Sequence, residues 1–376
     1  MKILVWQWGR RGAGPLFAVR LAEALRSLPR TEAFLSLSTG AEILQAEEAP
    51  DCVLPVFSGD GSAGLVWRLL QAPSVLLHLV RRLRALGPDI AVCAMPGHLD
   101  LLCAAALRWL RVPLVVIVHD ADLHPGDRYP LLMGLQRQLL RSAAAIVTLS
   151  QHVAARLATQ VSAGHCRLYV LRLPPLVFGP PPPPPRAHGG PLRLLFFGRL
   201  LPYKGLNLLR AAVNELPSSG SWVLRVVGSG PESSELEALR ATAGVIVENR
   251  WVPDDEIGAL IAWSDAVVLP YIEASQSGVA PAAVAAGRIV VATRVGGLAE
   301  QLSDHQQARL CDPQPESLAL VLHRLLDERP EASTSHWTDP GEAWRGFAAD
   351  LVNRVISPVL GRGLPASCSN YTLPAV

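Results

Sequence analysis

Short, solidly apolar runs alternate with longer segments of helical periodicity in the first half of the chain. The apolar runs are predicted to be β-strands: Ile3–Trp6, Ile90–Ala94, Leu114–Val118 and Ala145–Thr148. The segments between them repeat apolar residues every three or four positions and are predicted to be helices: Leu16–Leu28, Ser74–Ala85, Leu99–Leu110 and Arg128–Arg141. Apolar strands separated by helices indicate a parallel sheet covered on both faces.

A proline-rich stretch then interrupts this alternation. Pro174, Pro175 and the run 180–185 cannot continue a helix or an inner strand. We interpret the stretch as a stiff polyproline linker between two domains. The alternative is a surface loop inside one domain. The linker is favoured because a complete strand–helix series begins again after it.

The second half repeats the α/β pattern. Its predicted strands are Leu192–Phe197, Trp222–Val227, Val245–Glu248, Ala266–Leu269 and Ile289–Ala292. Its predicted helices are Leu206–Leu216, Leu236–Ala243, one that ends at Trp263, and Pro281–Ala286. A further amphipathic helix is expected at Trp344–Val355. Two doubly wound sheets place their ligand crevices at the carboxyl ends of their strands, so a cleft between two domains is expected.

The domain organisation follows from these breaks. We predict a first domain at residues 1–177, a linker at 178–190 and a second domain at 191–340. A helix at 341–358 is expected to return to the first domain, and an irregular tail is expected at 359–376.

Composition supports a globular protein and excludes several classes of function. Half of the 376 residues are hydrophobic, and the formal net charge is only +2, which argues against broad nucleic-acid binding. The six cysteines, Cys52, Cys93, Cys103, Cys166, Cys311 and Cys368, are widely spaced, so neither a metal site nor a disulfide framework is expected. No apolar run approaches the roughly 18 residues of a spanning helix, and no signal peptide is recognisable. We predict a cytoplasmic protein. Peripheral membrane contact through Arg10, Arg11 and the stretch 81–84 is left open beside a solvated helix face.

The segment FFGRLLPYKG, residues 196–205, carries the strongest chemical signal. A buried strand delivers Gly198 to the carboxyl edge of its sheet, where backbone can approach a ligand. Arg199 and Lys204 follow near the start of a helix. A guanidinium, an ammonium and helix N–H groups together suit a diphosphate.

Two further loops support this anion site. In GSGPE, Gly228 and Gly230 permit a tight turn with exposed backbone amides at the next strand end. In the loop ASQSGV, the amides of Ser277, Gly278 and Val279 are expected at a helix N-terminus, where negative charge is stabilised.

The first half contributes weaker signals. The glycine loop WGRRGAGP contains Gly12 and Gly14 but does not match the dinucleotide fingerprint GxGxxG. His119 and Asp120 stand where a buried strand ends, so they are expected to face the cleft. A structural role for the histidine remains the alternative.

In combination and order, these motifs resemble the GT-B fold glycosyltransferases, specifically the retaining glycosyltransferase family 4. The resemblance extends from residue 1 to about residue 355 and rests on GRLLPYKGLNLL, GSGP, WVPDDEI, SQSGV and AAGRIVVATRVGGLAE. It implies two Rossmann-like, doubly wound domains facing a central cleft. It also implies a nucleotide-sugar donor and a glycan, lipid-linked or small-molecule acceptor.

The resemblance assigns roles to individual residues. Arg199 and Lys204 would bind the donor diphosphate, and the segment around Val252 would flank the nucleobase. His119 would lie near the transferred sugar. The loop at Gly12 and Gly14 would border donor and acceptor, with Asp120 on the acceptor side.

One departure from the family concerns two glutamates that many members carry eight positions apart. This chain has Ala274 and Ala282 at those places. Glu273, Gln276 or Glu300 are the candidates to supply the missing polar contacts, and a subgroup with a loop like ASQSGV also lacks the pair.

The expected reaction is retaining sugar transfer to a hydroxyl without a metal or other cofactor, because cations and helix-end amides can stabilise the leaving diphosphate. A nicotinamide-dependent dehydrogenase is disfavoured by the absence of GxGxxG followed by an acidic residue. A catalytically degenerate scaffold or partner subunit remains the non-enzymatic alternative.

Overall fold

The computed structural model describes residues 1–46, 49–58, 71–126, 130–160, 167–176, 188–217, 220–328 and 339–361. Within these ranges the chain forms two parallel sheets of six strands each. The predicted linker at 178–190 lies outside the described residues except for its last three positions, and the tail lies outside them from residue 362 onward.

The first sheet has the strand order β2-β1-β3-β4-β5-β6. Its strands are β1 Lys2–Gln7, β2 Glu32–Leu37, β3 Ile90–Cys93, β4 Leu114–Val118, β5 Ala145–Thr148 and β6 Arg167–Val170. Its helices are α1 Ala13–Arg26, α2 Ala72–Leu86, α3 Asp100–Trp109, α4 Pro130–Arg141 and α5 Gln151–Ala158. The central strands β3, β4 and β5 are buried along their whole length, as their apolar sequences require.

The second sheet has the order β12-β11-β10-β7-β8-β9. Its strands are β7 Leu192–Phe197, β8 Trp222–Gly228, β9 Val245–Asn249, β10 Ala266–Leu269, β11 Ile289–Thr293 and β12 Ala308–Cys311. Its helices are α6 Leu206–Asn214, α7 Ser234–Ala241, α8 Asp254–Trp263, α9 Val279–Ala285, α10 Gly296–Leu302 and α11 Pro315–Glu328.

A terminal helix, α12 Pro340–Asp350, continues as a π-helical segment over Leu351–Ile356. Its apolar face packs into the core of the first sheet, where Trp344 and Phe347 contact Phe17 edge to face. The indole N–H of Trp344 donates to the carbonyl of Pro175 at 2.8 Å. The end of the second domain is therefore anchored on the first.

The predicted strands agree with the observed ones to within a residue or two, but several elements were not predicted. These are β2, β6, β12, α5, α10 and α11. The sequence of β2, EAFLSL, contains no β-branched residue, so its local preference for a strand is weak. It becomes a strand because it pairs with β1 in parallel register from Lys2–Glu32 to Gln7–Leu37. Among the described residues, no helix has both the length and the apolar character needed to cross a bilayer.

Candidate functional site

Tyr203 is the centre of the cluster that contains both predicted cations. Its hydroxyl accepts a hydrogen bond from Arg199, whose guanidinium lies 5.4 Å from the centroid of its ring. The ammonium of Lys204 lies 4.8 Å from the centroid of the same ring and 3.7 Å from that of Tyr271. Contact with a neutral ring orients a cation without cancelling its charge. The structure thus brings Arg199 and Lys204 together as the sequence predicted.

Gly205 lets the loop after β7 approach the end of β10. Its φ of 74° lies in the left-handed region, and a Cβ at this position would lie 1.7 Å from the carbonyl oxygen of Pro270. The same approach allows Ile272 N–H to donate to the carbonyl of Tyr203 at 2.9 Å. Only glycine can occupy this position while Lys204 and Tyr271 remain in contact.

The loop after β4 of the first domain docks on this cluster. The imidazole of His124 stacks on Tyr203 with ring centroids 4.5 Å apart and an angle of 11° between the planes. Its Nε2 lies 3.0 Å from the Asp120 carboxylate and 3.4 Å from the hydroxyl of Ser275. Asp120 therefore orients a histidine that joins the two domains.

His119 also reaches across the cleft. Its Nε2 lies 2.9 Å from the carbonyl oxygen of Ala94, which can only accept, so Nε2 carries the proton. Nδ1 is then the acceptor for the side-chain amide of Gln276 at 3.0 Å. Burial lowers the pKa of His119 below its ordinary value of 6.5. With the proton on Nε2, both ring nitrogens have partners within the protein. The expected place of His119 near the transferred sugar, as a catalytic residue, stays a prediction.

The loop between β10 and α9 is held by side chains from α10. The N–H of Ser277 donates to Gln301 Oε1 at 2.7 Å, and the Gln301 amide donates back to the Ser277 carbonyl at 3.2 Å. The Ser277 hydroxyl accepts from Ala280 N–H at 3.3 Å. The Ser277 N–H therefore has a partner within the protein, and its expected contact with phosphate or sugar stays a prediction. The expected roles of Gly278 and Val279 stay predictions.

Glu300 binds the first domain through its carboxylate, and its expected role as a donor ligand stays a prediction. Its two carboxylate oxygens accept from the N–H groups of Gln151 and His152, each at 2.7 Å. These N–H groups belong to the first turn of α5, where the helix dipole favours negative charge. Glu300 thus supplements Ser150, the N-cap of this helix, and joins the two domains.

The glycines of the GSGPE turn serve close packing of two loops. A Cβ on Gly228 would lie 1.7 Å from the carbonyl oxygen of Gly198, and one on Gly230 would lie 2.3 Å from that of Leu200. The N–H of Gly230 donates to Asn249 Oδ1 at 3.1 Å. The amide of Gly230 is consequently not exposed as expected, and the turn's clearest role is to position the loop that carries Arg199.

The glycine loop of the first domain faces the segment after β9. Arg11 lies with its guanidinium carbon 5.6 Å from the ring centroid of Trp251, next to the buried Val252. Gly12 has a φ of 82° and precedes α1, and Gly14 packs against the side chains of Gln7 and Met95. The glycine loop of the first domain therefore lies against the WVPD segment of the second domain.

Four contributors to this cleft were not singled out from the sequence: Tyr203, Tyr271, His124 and Ser275. Tyr203 stood between the two predicted cations, and its position there was a usable signal. The contact of His124 with the second domain had no local signal, because its partners are about 80 and 150 residues away. Among the described residues, no group of three or more His, Cys, Asp or Glu side chains could hold a metal ion.

Comparison with known proteins places both halves of the chain in one family. A family model described as "Glycosyltransferase Family 4" matches residues 17–173, and one described as "Glycosyl transferases group 1" matches residues 191–328. The 2-deoxystreptamine glucosyltransferase of Streptomyces kanamyceticus is 31% identical over 297 residues, which are 71% of this chain and 75% of that protein. The chain belongs to the group 1 glycosyltransferases. The resemblance to family 4 of the GT-B glycosyltransferases is confirmed, while retention and the subgroup with a loop like ASQSGV stay predictions.

Other members of the glycosyltransferase group match with lower identity or over less of the chain. The MMP α-(1→4)-mannosyltransferase of Mycolicibacterium hassiacum is 28% identical over 60% of this chain and 53% of that protein. Among solved structures, HepE of Anabaena in complex with UDP and glucose has a TM-score of 0.66 at 18% identity, covering 96% of this chain and all of that one. Sucrose-phosphate synthase from Thermosynechococcus elongatus has a TM-score of 0.63 at 17% identity, with 96% of each chain covered. The predicted GT-B fold is confirmed.

Proposed function

We propose that this glycosyltransferase moves a sugar from a nucleoside diphosphate sugar to an acceptor hydroxyl, with retention of configuration and without a metal ion. The observation that carries the proposal is the pair of cations, Arg199 and Lys204, held on Tyr203 at the carboxyl edge of the second sheet. In open α/β sheets ligands bind at this edge. Two fixed positive charges there suit a diphosphate.

The proposed chemistry needs no nucleophile from the enzyme. The bond between the anomeric carbon and the diphosphate oxygen breaks, and the acceptor oxygen forms its bond to the same carbon on the same face. The acceptor proton passes to the departing phosphate oxygen. Arg199 and Lys204 stabilise the charge that develops on the leaving diphosphate, as preorganised donors do in other enzymes.

The inter-domain contacts support a reaction in a closed cleft. The pairs His124–Tyr203 and His119–Gln276 join loops from the two sheets around the cationic cluster. Excluding water from such a site strengthens electrostatic interactions and limits hydrolysis of the donor.

The first probes follow from the relatives. HepE of Anabaena was solved with UDP and glucose, and the Streptomyces relative is a glucosyltransferase named for 2-deoxystreptamine. UDP-glucose is therefore the first donor to test, and a polyhydroxylated aminocyclitol is a reasonable first acceptor.

Calorimetry of the full chain with UDP, GDP and ADP tests the proposal, followed by assays of donor turnover with the corresponding sugars. Binding of one nucleotide together with turnover of its sugar supports it. If the protein binds none of the three nucleotides, a catalytically degenerate scaffold or partner subunit would be favoured. The anomeric configuration of the product, measured by NMR, tests retention.

A further inference from the structure

The side-chain amide of Gln276 has one polar atom bonded across the cleft and one without a partner. The carbonyl of Ala94 fixes the proton of His119 on Nε2, so Nδ1 must accept from the amide nitrogen of Gln276. This chain of bonds determines the orientation of the amide. Its carbonyl oxygen, Oε1, is then the buried atom that has no hydrogen-bond partner among the described residues.

An unpartnered buried acceptor opposes folding, so its retention at this place requires an explanation. Binding sites provide one, because they contain a few polar groups whose partners arrive with the ligand. Gln276 is well placed for this, since it lies in the loop that joins the end of β10 to α9.

The neighbours of Gln276 indicate which ligand group it would meet. The adjacent Ser277 lies with its hydroxyl 3.4 Å from that of Tyr271, whose ring contacts Lys204. If Lys204 holds the diphosphate, the nucleoside lies on one side of it and the sugar on the other. The segment around Val252, predicted to flank the nucleobase, follows β9, and the loop of Gln276 follows β10 on the opposite side of β7. The sugar is therefore the group that the loop of Gln276 would meet. Ala274, in the same loop, has no polar side-chain atom to offer, and the hydroxyl of Ser275 lies 3.4 Å from His124.

We infer that Gln276 determines donor specificity by accepting a hydrogen bond from one hydroxyl of the donor sugar through Oε1, and that His119 is its positioning residue. This inference rests on the proposed function. The side-chain amide of Gln276, held by His119 of the first domain, would then make a polar contact with the donor that the alanines at positions 274 and 282 cannot make.

The test combines Gln276→Met with donors that lack single hydroxyls. The first donors to compare are UDP-glucose and its 2-, 3-, 4- and 6-deoxy analogues. If the binding and turnover assays identify a different nucleotide sugar as the donor, the deoxy analogues of that sugar are used instead. Loss of one neutral hydrogen bond predicts about a tenfold to hundredfold fall in kcat/KM of the unaltered enzyme for one analogue. Gln276→Met should show a similar fall with the intact donor and no further fall with that analogue. Its affinity for UDP should be unchanged.

The inference would be overturned if Gln276→Met showed the same falls in kcat/KM with the deoxy donors as the unaltered enzyme. Nucleotide binding, and hence the proposed function, would not be affected by that result. If the unaltered protein binds no nucleotide, both ideas fail together.

Should the Met variant not fold, Gln276→Glu serves instead, because it keeps an acceptor for the sugar. It should retain the discrimination between analogues and raise the pKa of His119, visible in the pH profile of kcat/KM and in imidazole NMR signals. Loss of discrimination in this variant would also contradict the inference.

Discussion

The ammonium nitrogen of Lys204 lies 3.7 Å from the ring centroid of Tyr271, and this contact joins two loops of the second sheet. Tyr271 is fully buried, and its carbonyl accepts a hydrogen bond from the hydroxyl of Thr293 on the neighbouring strand. The ring is therefore a fixed surface that limits where the ammonium can be. Lys204 is therefore confined at the edge of the sheet where a diphosphate is proposed to bind.

Replacing either cation should impair the chemical step. Arg199→Ala and Lys204→Ala are each expected to lower kcat/KM for the nucleotide sugar. The loss should correspond to about 2–4 kcal/mol of transition-state stabilisation, because each variant removes a cationic hydrogen-bonding group aimed at the leaving group. Arg309→Ala is the matched control, since Arg309 is an exposed cation on the edge strand β12 of the same sheet. Steady-state kinetics measure the effect. Parent-like turnover in both site variants would remove the diphosphate assignment.

Gly205→Ala should disrupt the site from within the backbone. The added methyl would lie 1.7 Å from the carbonyl oxygen of Pro270, and the φ of 74° is strained for alanine. We expect a loss of roughly 3–5 kcal/mol in the free energy of unfolding, together with loss of nucleotide binding. Gly346→Ala is the control, because a Cβ there meets no atom within 4 Å and the residue lies inside α12. Denaturant unfolding should show that this control is neutral or stabilising.

Removing the carboxylate of Glu300 should loosen the contact between the domains. Glu300→Ala deprives two N–H groups of α5 of their acceptor. A loss of about 1 kcal/mol in stability is expected from the cap alone. The radius of gyration from small-angle X-ray scattering and the KM for the donor should both rise. Glu316→Ala, in the exposed first turn of α11, should change neither. An unchanged radius and KM in Glu300→Ala would show that the contact does not hold the cleft closed.

The stability of the protein should fall at mildly acidic pH because of His119. Its pKa is lowered by burial, so the unfolded chain binds the proton more readily than the folded one. The stabilising contribution of the neutral ring is complete above the pKa of histidine in the unfolded chain, about 6.5, and it decreases as the pH falls below that pKa. His119→Gln, which cannot titrate at this position, should lose less stability than the parent between pH 7 and pH 5. Thermal melts across this range measure the difference, with His78→Gln on the exposed face of α2 expected to follow the parent.

Chelation should leave the reaction unchanged. If Arg199 and Lys204 supply the positive charge for the leaving diphosphate, no divalent ion is needed for that step. Donor turnover measured in EDTA should equal that measured with added Mg²⁺ or Mn²⁺. Activity that disappears with EDTA and returns with one of these ions would contradict the metal-free proposal.

The class of fold and the place of the cationic pair could both be predicted from local sequence. Buried strands of parallel sheets are apolar on both faces, so they are visible as continuous runs such as Leu114–Val118. The motif around Arg199 and Lys204 could be predicted because strand, glycine, cations and helix start are contiguous in the chain. Local chemistry was sufficient at these points.

The way in which the two halves meet is visible only in the folded protein. The contacts of Glu300 with α5 and of Gln276 with His119 join residues about 150 positions apart in sequence. Hydrogen bonds of this kind depend on the distance between folded elements, and no local periodicity encodes that distance. The same reason explains β2, whose sequence favours a strand only weakly and which is fixed by pairing with β1. Gly205, Gly228 and Gly230 depend on both kinds of information. The sequence shows that these residues are glycines, but only the fold shows the backbone carbonyl that leaves no room for a side chain at each position.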